Sequence, residues 1–243
     1  GAVGSDGLFL KEILADAGAD VSCLRVMDTE SGCAFIEVNS KGQNRIIVSA
    51  GTNRMYTEEY IQSVLEKAEA GDFVLLQNEI NMVGEIIRLS HEKGCRVVFN
   101  ASPIPGKPEE LPLELVDIFM VNELEAAALA GTSTEGDFRD ILKALQKKYP
   151  KAAIVMTLGK EGVFYGYKEE FYSHPIFKVN AVDTTAAGDT FCGYFLAALC
   201  AEKSVETALR EASAASAMAV SAKGAAPSIP VHSAVEEWLC GRS

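Results

Sequence analysis

The sequence predicts an α/β fold with a parallel sheet, and three observations carry that expectation. Short apolar runs at 73–76, 96–99, 117–121 and 152–156 have the length of buried strands. Stretches of helical spacing at 60–70, 82–93 and 136–149 alternate with them, and Gly94 closes the second. Parallel strands can be joined only by a crossover, so this βαβα rhythm requires a sheet covered by helices. The chain has 243 residues, 48% hydrophobic and 23% charged, enough for one domain with a full core. No repeat, low-complexity tract or linker interrupts it, so residues 1–243 are expected to form a single domain.

In chain order, Gly1-Ala2-Val3-Gly4-Ser5-Asp6-Gly7 reads as a strand end and a Gly-rich turn, followed by a helix over 8–17 closed by Gly18. Segments 21–26, 33–38 and 44–48, with Gly32 and Lys41-Gly42 as turns, predict a β-meander. Gln77, Asn78 and Glu79 end the next strand, and Asn100 ends the one after it. In open α/β sheets ligands bind outside the carboxyl ends of strands, which makes these polar residues candidates. A polar strand end facing solvent is the alternative.

Beyond the Pro-rich loop 102–108, the strand 117–121 runs into Asn122-Glu123-Leu124-Glu125. Asn122 there suits a helix N-cap followed by acids that favour the helix dipole. The strand 152–156 enters the turn Thr157-Leu158-Gly159-Lys160-Glu161-Gly162, which leads to hairpin strands at 163–167 and 170–173. A helix over 205–223 stops at Gly224, and its alanines and serines from 212 to 222 permit the close approach of a neighbour or of an adenine ring, with tight helix packing the alternative. A closing amphipathic helix spans 231–239.

The densest chemistry lies in Val182-Asp183-Thr184-Thr185-Ala186-Ala187-Gly188-Asp189-Thr190-Phe191. Residues 177–182 alternate as a half-buried strand does, and 191–201 is apolar on nearly every face, as a buried helix is. The small residues between them leave amides uncovered at a helix N-terminus, where free donors and the helix dipole suit a phosphate. Asp189 is out of place beside an anion unless it receives a proton. A hydroxyl held between Asp189 and the γ-phosphate of a nucleotide would lose its proton to the carboxylate as it attacks, while the amides hold the developing charge. The alternative is that Asp183, Thr184 and Asp189 only cap the helix.

The net charge of −12 argues against nucleic acid as a partner. No apolar run approaches bilayer length, which argues against a membrane partner. Cysteines 23, 33, 95, 192, 200 and 240 form no C-x-x-C pair and fit a reducing, cytoplasmic setting. His91, His174 and His232 each stand apart from any acid or cysteine at ligand spacing, and read as structural or surface residues.

The string from Asp183 to Phe191 resembles the second signature of the ribokinase-like (PfkB) sugar kinases, D-T-[T/I]-[G/A]-A-G-D-[T/S]-F, at every position. N-x-x-E at 122–125, T-L-G-x-x-G at 157–162 and K-G-A-x-x-S at 223–228 resemble further motifs of that family, in its order. The resemblance spans essentially the whole chain. It implies a three-layer α/β/α sandwich with a mainly parallel central sheet and a small β-sheet lid within about residues 20–50, which covers the sugar and pairs two subunits as a homodimer.

It further implies ATP-dependent transfer of a phosphoryl group to a primary hydroxyl of a small sugar, with D-ribose the leading candidate. Asp189 becomes the catalytic base, and Ala187, Gly188 and Asp189 the anion hole. Asn122 contacts nucleotide phosphates, residues Thr157, Leu158, Gly159, Lys160, Glu161 and Gly162 lie against the nucleotide, and Ser213 contacts its base. Glu79 approaches the sugar hydroxyls, and Glu125 organises Mg²⁺ through water. Asp183, Thr185, Ala219, Ala222, Gly224 and Ser228 hold K⁺.

By the same resemblance the chain begins late, without the strands that carry an acidic sugar contact and a G-G-K-G-x-N motif. Two other readings stay open. One is a different member of the family, such as a fructokinase, phosphosugar kinase or nucleoside kinase, and the other is a non-catalytic nucleotide-binding protein. An NAD-dependent enzyme lacks its G-x-G-x-x-G between strand and helix.

Overall fold

In the computed structural model, which describes residues 1–38 and 44–242, contacts group the chain into two units, Gly1–Val116 and Asp117–Ser243. The first begins with β1 (Ala2–Gly4), a 3₁₀ turn at Ser5–Gly7, α1 (Leu8–Asp16) and β2 (Arg25–Met27). β1 and β2 pair in parallel, with Val3 opposite Val26. Asp6 fixes the turn, since its carboxylate accepts from the Ser31 amide at 2.9 Å and the Ser31 hydroxyl at 2.8 Å.

β3 (Cys33–Val38) and β4 (Asn44–Ser49) form an antiparallel hairpin, with Phe35 opposite Ile47. The expected Lys41-Gly42 turn lies outside the described residues. The expected meander is not formed, because residues 21–24 turn instead of extending. The Ser22 amide donates to the Asp20 carboxylate at 2.8 Å and the Leu24 amide to the Val21 carbonyl at 3.0 Å, and the strand that follows pairs with β1.

α2 (Glu58–Leu65), β5 (Phe73–Gln77), α3 (Val83–Glu92) and β6 (Arg96–Asn100) complete the first unit. Thr57 caps α2 by accepting from the Tyr60 amide, and the helix stops at Leu65, earlier than its apolar spacing suggests. β5 and β6 are parallel, with Leu75 opposite Val98, so Gln77 and Asn100 are neighbours at the carboxyl ends. Ile87, Val97, Val98 and Phe99 are fully buried, which is why the run at 96–99 is continuously apolar.

The second unit carries β7 (Ile118–Asn122), α4 (Glu123–Ala130), α5 (Phe138–Lys148), β8 (Ala153–Thr157), β9 (Val163–Tyr167) and β10 (Glu170–His174). β7 and β8 are parallel, with Met120 opposite Val155, and β9 and β10 add two antiparallel strands. Phe119, Ile154, Met156, Leu129 and Leu145 are fully buried there.

Three helices follow, α6 (Ala187–Cys200), α7 (Val205–Val220) and α8 (His232–Cys240). Ala208, Ala212, Ala215 and Ala219 recur at helical spacing on α7 and are all fully buried, so α6 and α8 both pack closely against it. Residues 177–182, expected as a strand, are irregular in the structure. Their backbone bonds run elsewhere, since the Val182 and Asp183 amides donate to the Val220 carbonyl at 2.7 and 3.2 Å. Among the described residues no helix is long and apolar enough to cross a membrane.

Candidate active site

The signature opens α6. Ala186, its N-cap, has φ 59° and ψ 11°, left-handed backbone that turns the chain sharply into the helix. The Gly188 and Asp189 amides therefore belong to the open first turn of the helix, while the Ala187 amide donates back to the Thr184 carbonyl at 3.3 Å. Gly188 and Asp189 are exposed.

The turn is braced from the end of α7. Besides the two bonds to Val220, the Asp183 carboxylate accepts from the Thr185 amide at 3.0 Å and the Gly224 amide at 3.1 Å. The Thr185 side chain and amide, with the Gly224 amide, push the Asp183 pKa down to about 2, so the carboxylate is charged throughout the neutral range. Asp183, Thr185 and Gly224 are thus brought together. Ser228, nearby in sequence and buried, donates to the Ala225 carbonyl at 2.8 Å, and the Ala219 carbonyl accepts from the Ala222 amide at 3.1 Å.

In front of the α6 N-terminus lies a cavity of about 610 Å³, a size suited to a nucleotide. Its lining combines Thr157, Gly159, Lys160 and Gly162 with Ala187, Gly188 and Ser213, seven of the residues singled out from sequence. The 157–162 turn is closed by its own backbone, the Leu158 amide donating to the Gly162 carbonyl at 2.8 Å. Leu158 is buried beneath that turn, and neither Leu158 nor Glu161 lines the cavity.

Asn122 sits opposite Thr157 at the carboxyl ends of β7 and β8. It forms a full capping box, its side chain accepting from the Glu125 amide at 2.9 Å while the Glu125 carboxylate accepts from the Asn122 amide at 2.9 Å. The capping role expected from the residues alone is realised. Glu125 is buried with one oxygen so engaged, and among the described residues no cluster of three acidic, histidine or cysteine side chains stands ready for a metal. This donor set fits an ion held mainly by phosphates and water, the habit of Mg²⁺.

Several lining residues escaped the sequence reading. Ile176, Phe177, Lys178 and Val179 come from the loop after β10, and Ser216 from α7. Phe177 is set by an edge-on contact with Trp238 at 4.9 Å and by His174 at 5.0 Å. Its signal in the sequence is the second-residue alternation in 177–182, the same pattern that predicts a strand. Glu79 lies just past β5 in the first unit.

Residues 1–232 match the pattern of the pfkB family of carbohydrate kinases. The chain belongs to that family. It is therefore a phosphotransferase that acts on a sugar hydroxyl. The chain is similar to a ribokinase of Haemophilus influenzae, at 35% identity over 98% of this chain and 79% of that protein. Among solved structures it is similar to Arabidopsis thaliana ribokinase complexed with ribose and ATP, with a TM-score of 0.84, 31% identity, and coverage of 98% of this chain and 80% of that one. It is also similar to the ribokinase of Cryptococcus neoformans in complex with ADP, with a TM-score of 0.85, 28% identity, and coverage of 98% and 81%. The pfkB fold assigned here is the expected mixed α/β architecture with a mainly parallel sheet.

Proposed function

We propose that residues 1–243 act as one ATP-dependent kinase domain that phosphorylates the primary hydroxyl of D-ribose, giving ribose 5-phosphate and ADP. The observation that carries this reading is the convergence of the 157–162 turn and the first turn of α6 on one cavity. Similarity to the ribose- and ATP-bound Arabidopsis ribokinase supports ribose as the acceptor and ATP as the donor.

In the proposed step the sugar oxygen attacks the γ-phosphorus, its bond to the bridging oxygen of the β-phosphate breaks, and ADP leaves. Asp189 takes the hydroxyl proton, and the amides of Ala187, Gly188 and Asp189 hold the charge developing on the transferred group. Asn122 reaches the phosphates, Ser213 the base, and Glu79 the sugar hydroxyls. Mg²⁺, when bound, neutralises phosphate charge, with Glu125 orienting its waters.

A monovalent cation belongs to the same proposal. Asp183, Thr185, Ala219, Ala222, Gly224 and Ser228 supply carbonyl and carboxylate oxygens beside the turn that shapes the anion hole. K⁺ is expected to raise turnover severalfold at fixed Mg²⁺ when compared with Na⁺ or choline in a coupled ADP-release assay. Equal rates in all three salts would remove the cation from the mechanism.

The β3–β4 hairpin exposes Phe35, Ile36, Ile46, Ile47 and Val48, each at least half exposed. Apolar residues on both faces of a two-stranded ribbon support the homodimer, in which that ribbon pairs with its copy. Six free cysteines support a reducing, cytoplasmic setting. The acceptor is tested by comparing kcat/KM for ribose, fructose and a nucleoside under one set of conditions. Ribose is expected to lead, and a clear preference for either alternative would reassign the enzyme within its family.

A further inference from the structure

Ser216 lies on the face of α7 that also presents Ser213, Ala217 and Val220 to the cavity. Its hydroxyl donates to the Ala187 carbonyl at 3.0 Å, across 29 residues of chain. Ala187 is the first residue of α6, so its carbonyl also faces the amide four residues on. A carbonyl oxygen has two lone pairs, and the Ser216 bond can be made without displacing the helical one.

The atom that Ser216 grips matters. The Ala187 carbonyl and the Gly188 amide belong to one planar peptide unit, so fixing the direction of the first fixes the direction of the second. The Gly188 amide is an anion-hole donor. The start of α6 has backbone support but no side-chain cap: Ala186 adopts left-handed backbone that a Cβ disfavours, its carbonyl accepts from the Thr190 amide at 2.9 Å, and the Ala187 amide donates to the Thr184 carbonyl at 3.3 Å. The bonds to Val220 and Gly224 hold the chain before Ala186, whereas Ser216 holds the peptide after Ala187.

We propose that Ser216 is a positioning residue for phosphoryl transfer, acting through the Ala187–Gly188 peptide to aim the Gly188 amide at the transferred group. This rests on the kinase reading of the same site. The effect belongs to the transition state, where donor direction counts most, and not to nucleotide binding, to which the whole cavity contributes.

The test uses Ser216→Ala and Ser216→Thr in the full chain, with kcat, the Kd for ATP, and the Kd for ADP with aluminium fluoride as a mimic of the transferring phosphoryl group. Loss of one neutral hydrogen bond should lower kcat about three- to tenfold in Ser216→Ala and weaken the aluminium fluoride complex by a similar factor, with the Kd for ATP within about twofold. Ser216→Thr, which keeps the hydroxyl, should restore most of the loss.

Unchanged kcat with an unchanged aluminium fluoride complex would overturn the proposal. So would a rise in the Kd for ATP at constant kcat, which would make Ser216 a direct nucleotide contact. A loss common to both variants and matched by a lower melting temperature would reduce it to packing. If the wild-type protein binds ADP with aluminium fluoride yet phosphorylates no sugar, the kinase reading alone fails, and the split between the two affinities still decides the role of Ser216.

Discussion

Asp189→Asn is expected to lower turnover on ribose by about 10²- to 10⁴-fold, the usual cost of losing a general base. The change is isosteric, and it removes basicity without removing volume or the ability to hydrogen-bond near the α6 N-terminus. An acid in the first turn of a helix contributes only about 0.3–1 kcal/mol through the dipole, so the fold should survive. Nucleotide affinity should hold or improve, because a negative charge beside the phosphates is removed. Steady-state kinetics with ribose, together with calorimetric titration of ATP, separates the two effects. Turnover retained within about tenfold would deny Asp189 the base role.

Gly162→Ala is expected to produce the second largest effect, on the nucleotide turn rather than on the chemistry. Gly162 has φ 97° and ψ −140°, a combination open essentially to glycine alone. A Cβ there would stand 2.2 Å from the His174 carbonyl oxygen, which is backbone and has no rotamer to retreat into. Strain and overpacking together should cost roughly 2–4 kcal/mol. For a chain of this size that corresponds to a melting temperature lower by about 4–16 °C, with weaker ATP binding as the turn shifts. Gly159→Ala makes the comparison informative, since Gly159 has φ +50 but nothing within 4 Å of its would-be Cβ. Its cost should stay near 1–2 kcal/mol, that of left-handed backbone alone. Similar losses in the two variants, read by thermal melting, would show that the contact with His174 does not constrain the turn.

The fold was legible where apolar runs were continuous and bounded. β6, β7 and β8 are buried on both faces, and their sequences show it directly. Failures came where alternation had another cause. In 177–182 the alternation predicted a strand, yet Phe177, Val179 and Ala181 line the cavity while the following amides bond to the end of α7. Half-buried Phe177 and Val179 beside exposed Lys178 and Asn180 imitate the period of a strand, although Lys178 lines the cavity too. At 21–24 a local turn at Asp20 takes up the backbone, Arg25–Met27 pair with β1, and the meander is reduced to a hairpin.

The site was legible because its chemistry sits on local motifs. The 157–162 turn and the 183–191 signature each keep their parts within ten residues, and one cavity is lined by Thr157, Gly159, Lys160 and Gly162 of the first and by Thr184, Ala187, Gly188 and Phe191 of the second. Ser216 was hidden because its partner lies 29 residues away and its neighbours on α7 are small residues that read as tight packing. Asn122 and Glu125 show the opposite difficulty. Their capping box accounts for both side chains at the strand end, and the functional roles proposed for them are additional to it.

The most direct test is to incubate the protein with ribose, ATP, Mg²⁺ and K⁺ and to record the proton-coupled ³¹P spectrum of the products. A phosphomonoester signal split by the two methylene protons of ribose carbon 5, absent with Asp189→Asn, is the expected result. No phosphorylated sugar above that control, or a phosphate split by a single anomeric proton, would contradict transfer to the primary hydroxyl.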